Sequence, residues 1–165
     1  MIEWDEITVD EGLCLRITAG EQGIRSIDFD RSRPAVGERN GSNSLVREAG
    51  RQLHAYFSGM LRSFDLPLEY AGTEFQKRVW SFLETIPYGT TRSYLQVATA
   101  LGMPKAVRAV GAANGANPIP IVVPCHRVIG AGGKLVGYGG GLPLKRRLLE
   151  LEGVTALQLS FNSSR

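Results

Sequence analysis

The sequence predicts a mixed α/β (α+β) protein of two domains, with antiparallel strands and one helix in residues 1–72 and a mostly helical half in residues 73–165. Two observations predict this division. Apolar residues first alternate with polar ones at a period of two and later recur at helical spacing. The charge also changes, because residues 1–72 hold 8 Lys/Arg against 12 Asp/Glu whereas residues 73–165 hold 11 against 4. A basic half is typical of a phosphate-binding domain, although a merely solvated surface also explains the charge.

The first thirty residues predict the strands. Apolar positions alternate through Leu13–Ile17 and Ile24–Phe29, and turn signals lie at Asp10–Gly12 and near Gly20. This pattern favours a small antiparallel sheet. The following stretch, Arg31–Ser44, is rich in Arg, Pro, Gly, Asn and Ser, which predicts a loop.

One amphipathic helix should follow this loop. Apolar residues recur at helical spacing from Leu45 to Met60, and Ser44 is the expected N-cap. A short extended piece, Phe64–Tyr70, then leads to Gly72, where we expect the boundary between the domains.

Three helices are predicted in the first part of the second half. The first opens at Thr73 and Gln76, which have capping-box spacing, and it ends at Pro87–Gly89. Ser93 can cap the second helix, and Pro104 should start the third, KAVRAVGAAN. Two short helices joined by a tight turn predict a helix-turn-helix.

The third helix is unusual because Arg108 is the single charge within residues 106–113, among small side chains. Those small residues are Ala106, Val107, Ala109, Val110, Gly111, Ala112 and Ala113. They permit tight packing against a neighbouring helix, with Arg108 solvated. They equally permit a close fit into a DNA groove, with Arg108 reaching between the bases. The composition leaves both interpretations open.

The segment NPIPIVVPCHRV, from Asn117 to Val128, carries the most specific chemistry. Its three prolines exclude a central strand and predict a rigid, mostly buried segment that ends at Cys125. A lone cysteine is most often a small core residue. Here the neighbouring His126 and Arg127 would favour the reactive thiolate. If the backbone is extended, Cys125 and His126 point oppositely, and proton transfer needs a bridging water or a turn.

The C-terminal helix supplies a third candidate. Lys145 and Glu152 fall inside the apolar arc formed by the leucines of residues 144–151. Charges on a buried face are costly unless paired, so both are candidates for function, although Glu152 could also belong to a solvated helix end. Together, Cys125, His126 and Glu152 would make a nucleophile, a base and an orienting carboxylate.

Composition argues against several other classes. No stretch approaches the roughly 18 apolar residues of a membrane span, and the N-terminus lacks a basic segment followed by an apolar run, so a cytoplasmic protein without membrane contact is expected. Cys14 and Cys125 lack CxxC spacing, and His54 and His126 are the only histidines, so no metal site is expected. The motif GxxxxGK[ST] is absent, and no cofactor is expected.

The run PCHRV, with NPIPIVV before it, GYGGG after it and IPYGTTRSY further upstream, resembles the methylated-DNA–protein-cysteine methyltransferase (6-O-alkylguanine-DNA alkyltransferase) family. The likeness covers residues 73–160. Over residues 1–72 it rests on length and on a strand-strand-strand-helix order. It implies a ribonuclease-H-like N-terminal domain and a C-terminal domain with a winged-helix-like helix-turn-helix.

The resemblance also implies an activity, which is single-turnover repair of double-stranded DNA. An alkyl group passes from the 6-oxygen of guanine, and less well from the 4-oxygen of thymine, to Cys125, which inactivates the protein. His126 would take the thiol proton through a water, while Glu152 holds the imidazole. Lys145 would lie near the thiol, and Asn117 would tie the recognition helix to the active-site segment.

The same likeness implies residues for DNA and for the flipped base. Tyr94 would help to flip the nucleotide and donate a proton to guanine, and Arg108 would fill its place in the stack. Other expected DNA contacts are Ala106, Val107, Ala109 and Asn114. The expected pocket residues are Val128, Tyr138 and Gly139, the last of which stands where several relatives have a serine.

The expected partner is double-stranded DNA containing alkylated guanine, bound by a monomer, with cooperative binding along DNA left open. Two alternatives come from other classes. A Cys-His hydrolase would use the same three residues but would turn over, and a lesion-binding protein would bind without transfer. A helix-turn-helix regulator would leave the PCHR segment unexplained.

Overall fold

Four strands form the sheet of the first of two structural units in the computed structural model, which describes residues 1–155. This unit holds residues 1–71 with 118–120, and the second holds residues 72–117 and the described residues from 121 to 155. The expected ends of the family likeness and of the second domain, at residues 160 and 165, lie outside the described residues.

The sheet of the first unit has the strand order β3-β2-β1-β4. Its strands are β1 (Glu3–Val9), β2 (Leu13–Ala19), β3 (Ile24–Asp28) and β4 (Glu38–Arg39). β2 runs antiparallel to both β1 and β3, whereas β4 is parallel to β1. Helix α1 (Ser44–Phe57) contacts β1, β2 and β3, and Leu15, Ile17 and Leu53 are buried. The three predicted strands and the helix are therefore present.

Three details of the first unit differ from the predictions. The N-cap of α1 is Asn43 rather than Ser44, because the Asn43 side chain accepts the Val46 N–H at 2.9 Å. Met60 is 81% exposed, since the helix ends before it. The predicted loop contains the short strand β4. The predicted extended piece agrees with the structure and includes a parallel bridge from Leu68 to Ile24.

Helices dominate the second unit, as predicted. Its elements are α2 (Glu74–Leu83), β5 (Arg92–Ser93), α3 (Tyr94–Ala100), α4 (Val107–Gly115), β6 (Val128–Ile129) and α5 (Leu142–Leu151), with 3₁₀ turns at Cys125–Arg127 and Ala131–Gly133. The capping box of Thr73 and Gln76 is formed, and Ser93 caps α3 in the same way with Gln96. None of the described helices is long and apolar enough to cross a membrane.

A buried tryptophan joins two of these helices. Trp80 of α2 donates its Nε1–H to the Ala113 carbonyl of α4 at 2.8 Å. A Cβ on Gly72 would lie 2.6 Å from the Trp80 ring, so only glycine fits there. Burial of the large indole with its N–H satisfied anchors α4 against α2.

Helix α4 begins later than predicted. Pro104 lies in a turn in which the Ala106 N–H donates to the Met103 carbonyl at 2.9 Å, and the helix starts at Val107. The helical hydrogen bonds begin only after this turn, with the Val110 N–H donating to the Ala106 carbonyl at 2.9 Å.

The observed cap of α1 leads to a stability prediction. Asn43→Ala should lower the free energy of unfolding by about 1 kcal/mol or more, since it removes the cap and also the hydrogen bond from Asn43 Nδ2 to Glu3. Ser44→Ala is the matched control and should change it little. Urea denaturation of both variants measures this, and an equal loss in Ser44→Ala would contradict the assignment of the cap.

Candidate functional site

The segment before Cys125 is held in an irregular conformation. Asn117 donates its Nδ2–H to the Val123 carbonyl at 2.8 Å. Between them, Ile121 is buried and has φ +73°, a conformation that β-branched residues rarely adopt. Cys125 then opens a 3₁₀ turn rather than continuing an extended chain. The alternative of an extended backbone at this point is therefore wrong, and the turn sets the directions of the next two side chains.

Cys125 lies inside the unit, with 5% of its surface exposed. Burial raises the pKa of its thiol, while a hydrogen bond with Asn117 and the charge of Lys145 act in the opposite direction. Arg127 was expected to favour the thiolate, but it is directed at Glu152 instead. The cation that acts on the thiol is Lys145.

A buried carboxylate binds the histidine next to Cys125. His126 Nε2 lies 2.7 Å from Oε2 of Glu152, and both side chains are fully buried. Burial acts to raise the pKa of Glu152, but hydrogen bonds from His126 and Arg127 lower it far below its ordinary value. An ionised carboxylate only accepts hydrogen bonds, so Nε2 carries the hydrogen and Nδ1 is the basic nitrogen of the neutral ring. The alternative that Glu152 lies at a solvated helix end is therefore wrong.

Two further predicted residues converge on one backbone carbonyl. Lys145, fully buried on α5, donates to the Val136 carbonyl at 2.9 Å and to the Gly137 carbonyl at 3.3 Å. Tyr94, at the start of α3, donates its hydroxyl to the same Val136 carbonyl at 3.4 Å. Burial lowers the pKa of Lys145 to about 8, against the attraction of Cys125. Burial, followed by the charge of Cys125, raises the pKa of Tyr94.

The three predicted pocket residues differ in exposure. Val128 is buried, Tyr138 is half-buried and Gly139 is exposed. A Cβ built on Gly139 would meet no atom within 4 Å, so the space of a serine at this position is vacant. A groove of about 620 Å³ lies beside Tyr94. It is lined by Thr91, Ser93, Tyr94, Leu95, Gln96, Val107 and residues 129–133.

Helix α4 divides its predicted DNA contacts between two faces. Arg108 and Ala109 are exposed, and Ala106 and Val107 are half-buried. Asn114, in contrast, is 5% exposed and donates its Nδ2–H to the Cys125 carbonyl at 3.4 Å. We therefore correct the expectation that Asn114 contacts DNA, because its side chain is directed into the unit.

Comparison with protein families assigns both halves of the chain. Residues 74–154 match the 6-O-methylguanine DNA methyltransferase, DNA binding domain. Residues 14–70 match the ribonuclease-like domain of the same protein family. A methylated-DNA–protein-cysteine methyltransferase of Methanosarcina acetivorans is 51% identical over 140 residues, which cover 83% of this chain and 90% of the relative.

The chain belongs to the methylated-DNA–protein-cysteine methyltransferase family.

Other relatives agree with this membership. The family's protein from Mycolicibacterium paratuberculosis is 51% identical over 92% of this chain and 93% of its own. The crystal structure of the Mycobacterium tuberculosis O6-methylguanine methyltransferase has a TM-score of 0.83 at 46% identity, covering 92% of this chain and 93% of that one. The M. tuberculosis OGT in complex with DNA has a TM-score of 0.82 at 45% identity, covering 96% of both chains. The resemblance, with its fold class, is confirmed.

Within this member of the family, two partners of Glu152 were missed in the sequence. Arg127 donates from Nε at 2.8 Å and from Nη2 at 3.0 Å, and the Gly89 N–H donates at 3.0 Å. The signal for Arg127 was present, because a buried acid on the helix requires a cation and PCHR supplies one in an apolar run. Nothing in the sequence signals the backbone N–H of Gly89.

The burial of Lys145 leads to a pH prediction. Its pKa of about 8 lies below the ordinary 10.5, so the folded state releases this proton before the unfolded chain does. The contribution of Lys145 to the free energy of unfolding should therefore rise with pH between about 8 and 10.5. Denaturation of the wild type and of Lys145→Met across this pH range measures the difference in their free energies of unfolding, which should change in favour of the wild type as the pH rises. A difference that stays constant with pH would contradict the lowered pKa.

Proposed function

We propose that this protein repairs double-stranded DNA by transferring a methyl or larger alkyl group from the 6-oxygen of guanine to Sγ of its own Cys125. The 4-oxygen of thymine would be a poorer donor. The observation that carries the proposal is the buried chain of contacts in which Glu152 holds His126, the residue next to the thiol, at 2.7 Å. Family membership, and the solved relative in complex with DNA, support the same chemistry.

The transfer is a displacement in which one bond replaces another. Sγ of Cys125 attacks the alkyl carbon, so that a sulfur–carbon bond forms as the bond from carbon to the guanine 6-oxygen breaks. The thiol proton passes to Nδ1 of His126 through a water, and Glu152 stabilises the imidazolium. Tyr94 donates a proton to the leaving guanine and regains one from solvent, to which His126 releases the thiol proton. The net products are S-alkylcysteine and guanine.

No step regenerates the thiol, because a thioether is not hydrolysed under ordinary conditions. Each molecule therefore acts once. This stoichiometry separates the proposal from a Cys-His hydrolase, which would turn over, and from a lesion-binding protein, which would leave the cysteine unmodified.

Access to the 6-oxygen requires the base to leave the duplex, which costs a few kcal/mol of stacking and pairing. On this proposal, α3 and α4 are a helix-turn-helix, α4 faces DNA, and Arg108 occupies the vacated place in the stack. Its exposure, together with the small exposed or half-buried residues beside it, supports this role. Asn117 would hold the segment that carries Cys125, and Lys145 would hold the loop at Val136.

We propose that residues 1–72 form a scaffold domain, and that residues 73–165 bind DNA and accept the alkyl group. Val128, Tyr138 and Gly139 would line the pocket for the flipped base. Monomeric action and a cytoplasmic location remain predictions of the sequence.

The alkyl transfer is tested by mass spectrometry. After incubation with duplex DNA containing 6-O-methylguanine, the peptide that contains Cys125 should gain a single methyl group at one equivalent per protein, and Cys125→Ser should gain none. Cys14→Ser is the matched control and should react like the wild type. Release of product beyond one equivalent would overturn the single-turnover mechanism, and an unmodified Cys125 would overturn transfer itself.

The role of Arg108 is tested by comparing two substrates. Arg108→Ala should slow repair of duplex DNA by about tenfold, which corresponds to about 1.4 kcal/mol, and should have less effect on free alkylated base. Arg146→Ala, a surface change on α5, is the control and should slow neither reaction. Equal losses on duplex and free base would reject the role in the stack.

A further inference from the structure

Arg127 is buried beside the reacting groups but takes no part in the proposed transfer. Only 7% of its side chain is exposed. Its Nε and Nη2 donate to the two oxygens of Glu152, and its Nη1 donates to the Ile86 carbonyl at 2.7 Å. The guanidinium also lies 5.7 Å from the ring centroid of Tyr88. A planar fork held at three nitrogens has little freedom to rotate.

Each carboxylate oxygen of Glu152 accepts from two donors. Oε1 accepts from Arg127 Nε and from the Gly89 N–H, while Oε2 accepts from Arg127 Nη2 and from His126 Nε2. The turn that supplies Gly89 is itself tied to the end of α5, since the Tyr88 hydroxyl donates to the Leu151 carbonyl at 3.2 Å. His126 is therefore bound to an acceptor whose plane is fixed by groups other than the histidine.

We propose that Arg127 is a positioning residue for His126. It holds the Glu152 carboxylate so that Oε2 keeps His126 in the tautomer with hydrogen on Nε2. It also balances the carboxylate charge, so that the ring stays neutral until it receives the Cys125 proton. The role in transfer rests on the proposed function. The tautomer and the charge balance are properties of the free protein.

The charges around His126 agree with this role. The charged groups that act on His126 are Glu152 and Lys145, from α5 and its end, together with Arg127 from its own turn. Burial lowers the pKa of His126 most, Glu152 raises it, and Arg127 and Lys145 lower it further. Without Arg127 the carboxylate would act uncompensated, so the pKa of His126 would rise and the neutral base would be available only at higher pH.

Two substitutions separate charge from geometry. Arg127→Met removes both, whereas Arg127→Lys keeps the charge but cannot bridge two carboxylate oxygens in a plane. Arg146→Met is the matched control, because Arg146 is exposed and pairs with Glu150 of the same helix, at 3.7 Å. The first readout is the single-turnover rate on methylated duplex as a function of pH. The second is the nitrogen NMR of the His126 ring in the free protein, where His54 is the one other histidine.

Arg127→Met should slow transfer at neutral pH by about tenfold, part of the 10²–10⁴ that a positioned base contributes. It should also move the midpoint of the rate–pH profile and the His126 titration to higher pH. Arg127→Lys should keep the midpoint near that of the wild type, lose rate, and show less of the Nε2–H tautomer. Arg146→Met should match the wild type.

A uniform loss of rate at all pH values, with an unchanged His126 titration and tautomer, would overturn the proposal and leave Arg127 a purely structural residue. If Arg127→Met does not fold, Arg127→Lys decides the matter through its tautomer, and a wild-type tautomer there would also overturn it. Failure of the wild type to methylate Cys125 would instead refute the proposed function, and the NMR measurement would still test the positioning of His126.

Discussion

The carboxylate of Glu152 is fully buried, and its need for partners determines how the site is built. An ionised carboxylate loses several kcal/mol of hydration in a protein interior unless opposite charge and hydrogen bonds replace it. Here, the 3₁₀ turn that begins at Cys125 supplies two partners and the turn after α2 supplies a third. These segments are far apart in the chain. Their meeting at the end of α5 places the imidazole and the thiol in one location.

The same arrangement separates the site's charges into two groups. Arg127 is committed to Glu152, and Lys145 is the cation that acts on Cys125. Lys145 is itself held by the carbonyls of Val136 and Gly137. Since burial opposes charge on both the thiol and the ammonium, the interior does not favour a free thiolate by itself. On the proposed mechanism, His126 must therefore accept the proton as the sulfur attacks.

Helix α4 connects this interior to an open surface. Its buried face includes Asn114, which donates to the Cys125 carbonyl, and Ala113, whose carbonyl accepts from Trp80. Its other face exposes Arg108 and Ala109. Asn117, just beyond the helix, holds Val123 in the nucleophile segment. A rigid helix with contacts of this kind gives a fixed distance between any ligand on its open face and the thiol.

Local patterns in the sequence were sufficient for the fold class, the three strands of the first unit, the capping box at Thr73 and the cap at Ser93. They also selected Cys125, His126, Glu152 and Lys145 as candidate site residues. These features depend on neighbours within a few residues or on charge in an apolar arc, and both can be read along the chain. The tertiary structure decided the rest. It moved the cap of α1 to Asn43, began α4 at Val107, directed Asn114 inward and paired Arg127 with Glu152. Each of these features depends on which polar group lies within hydrogen-bonding distance after the chain has folded. The sequence alone does not give the distances between groups in different segments.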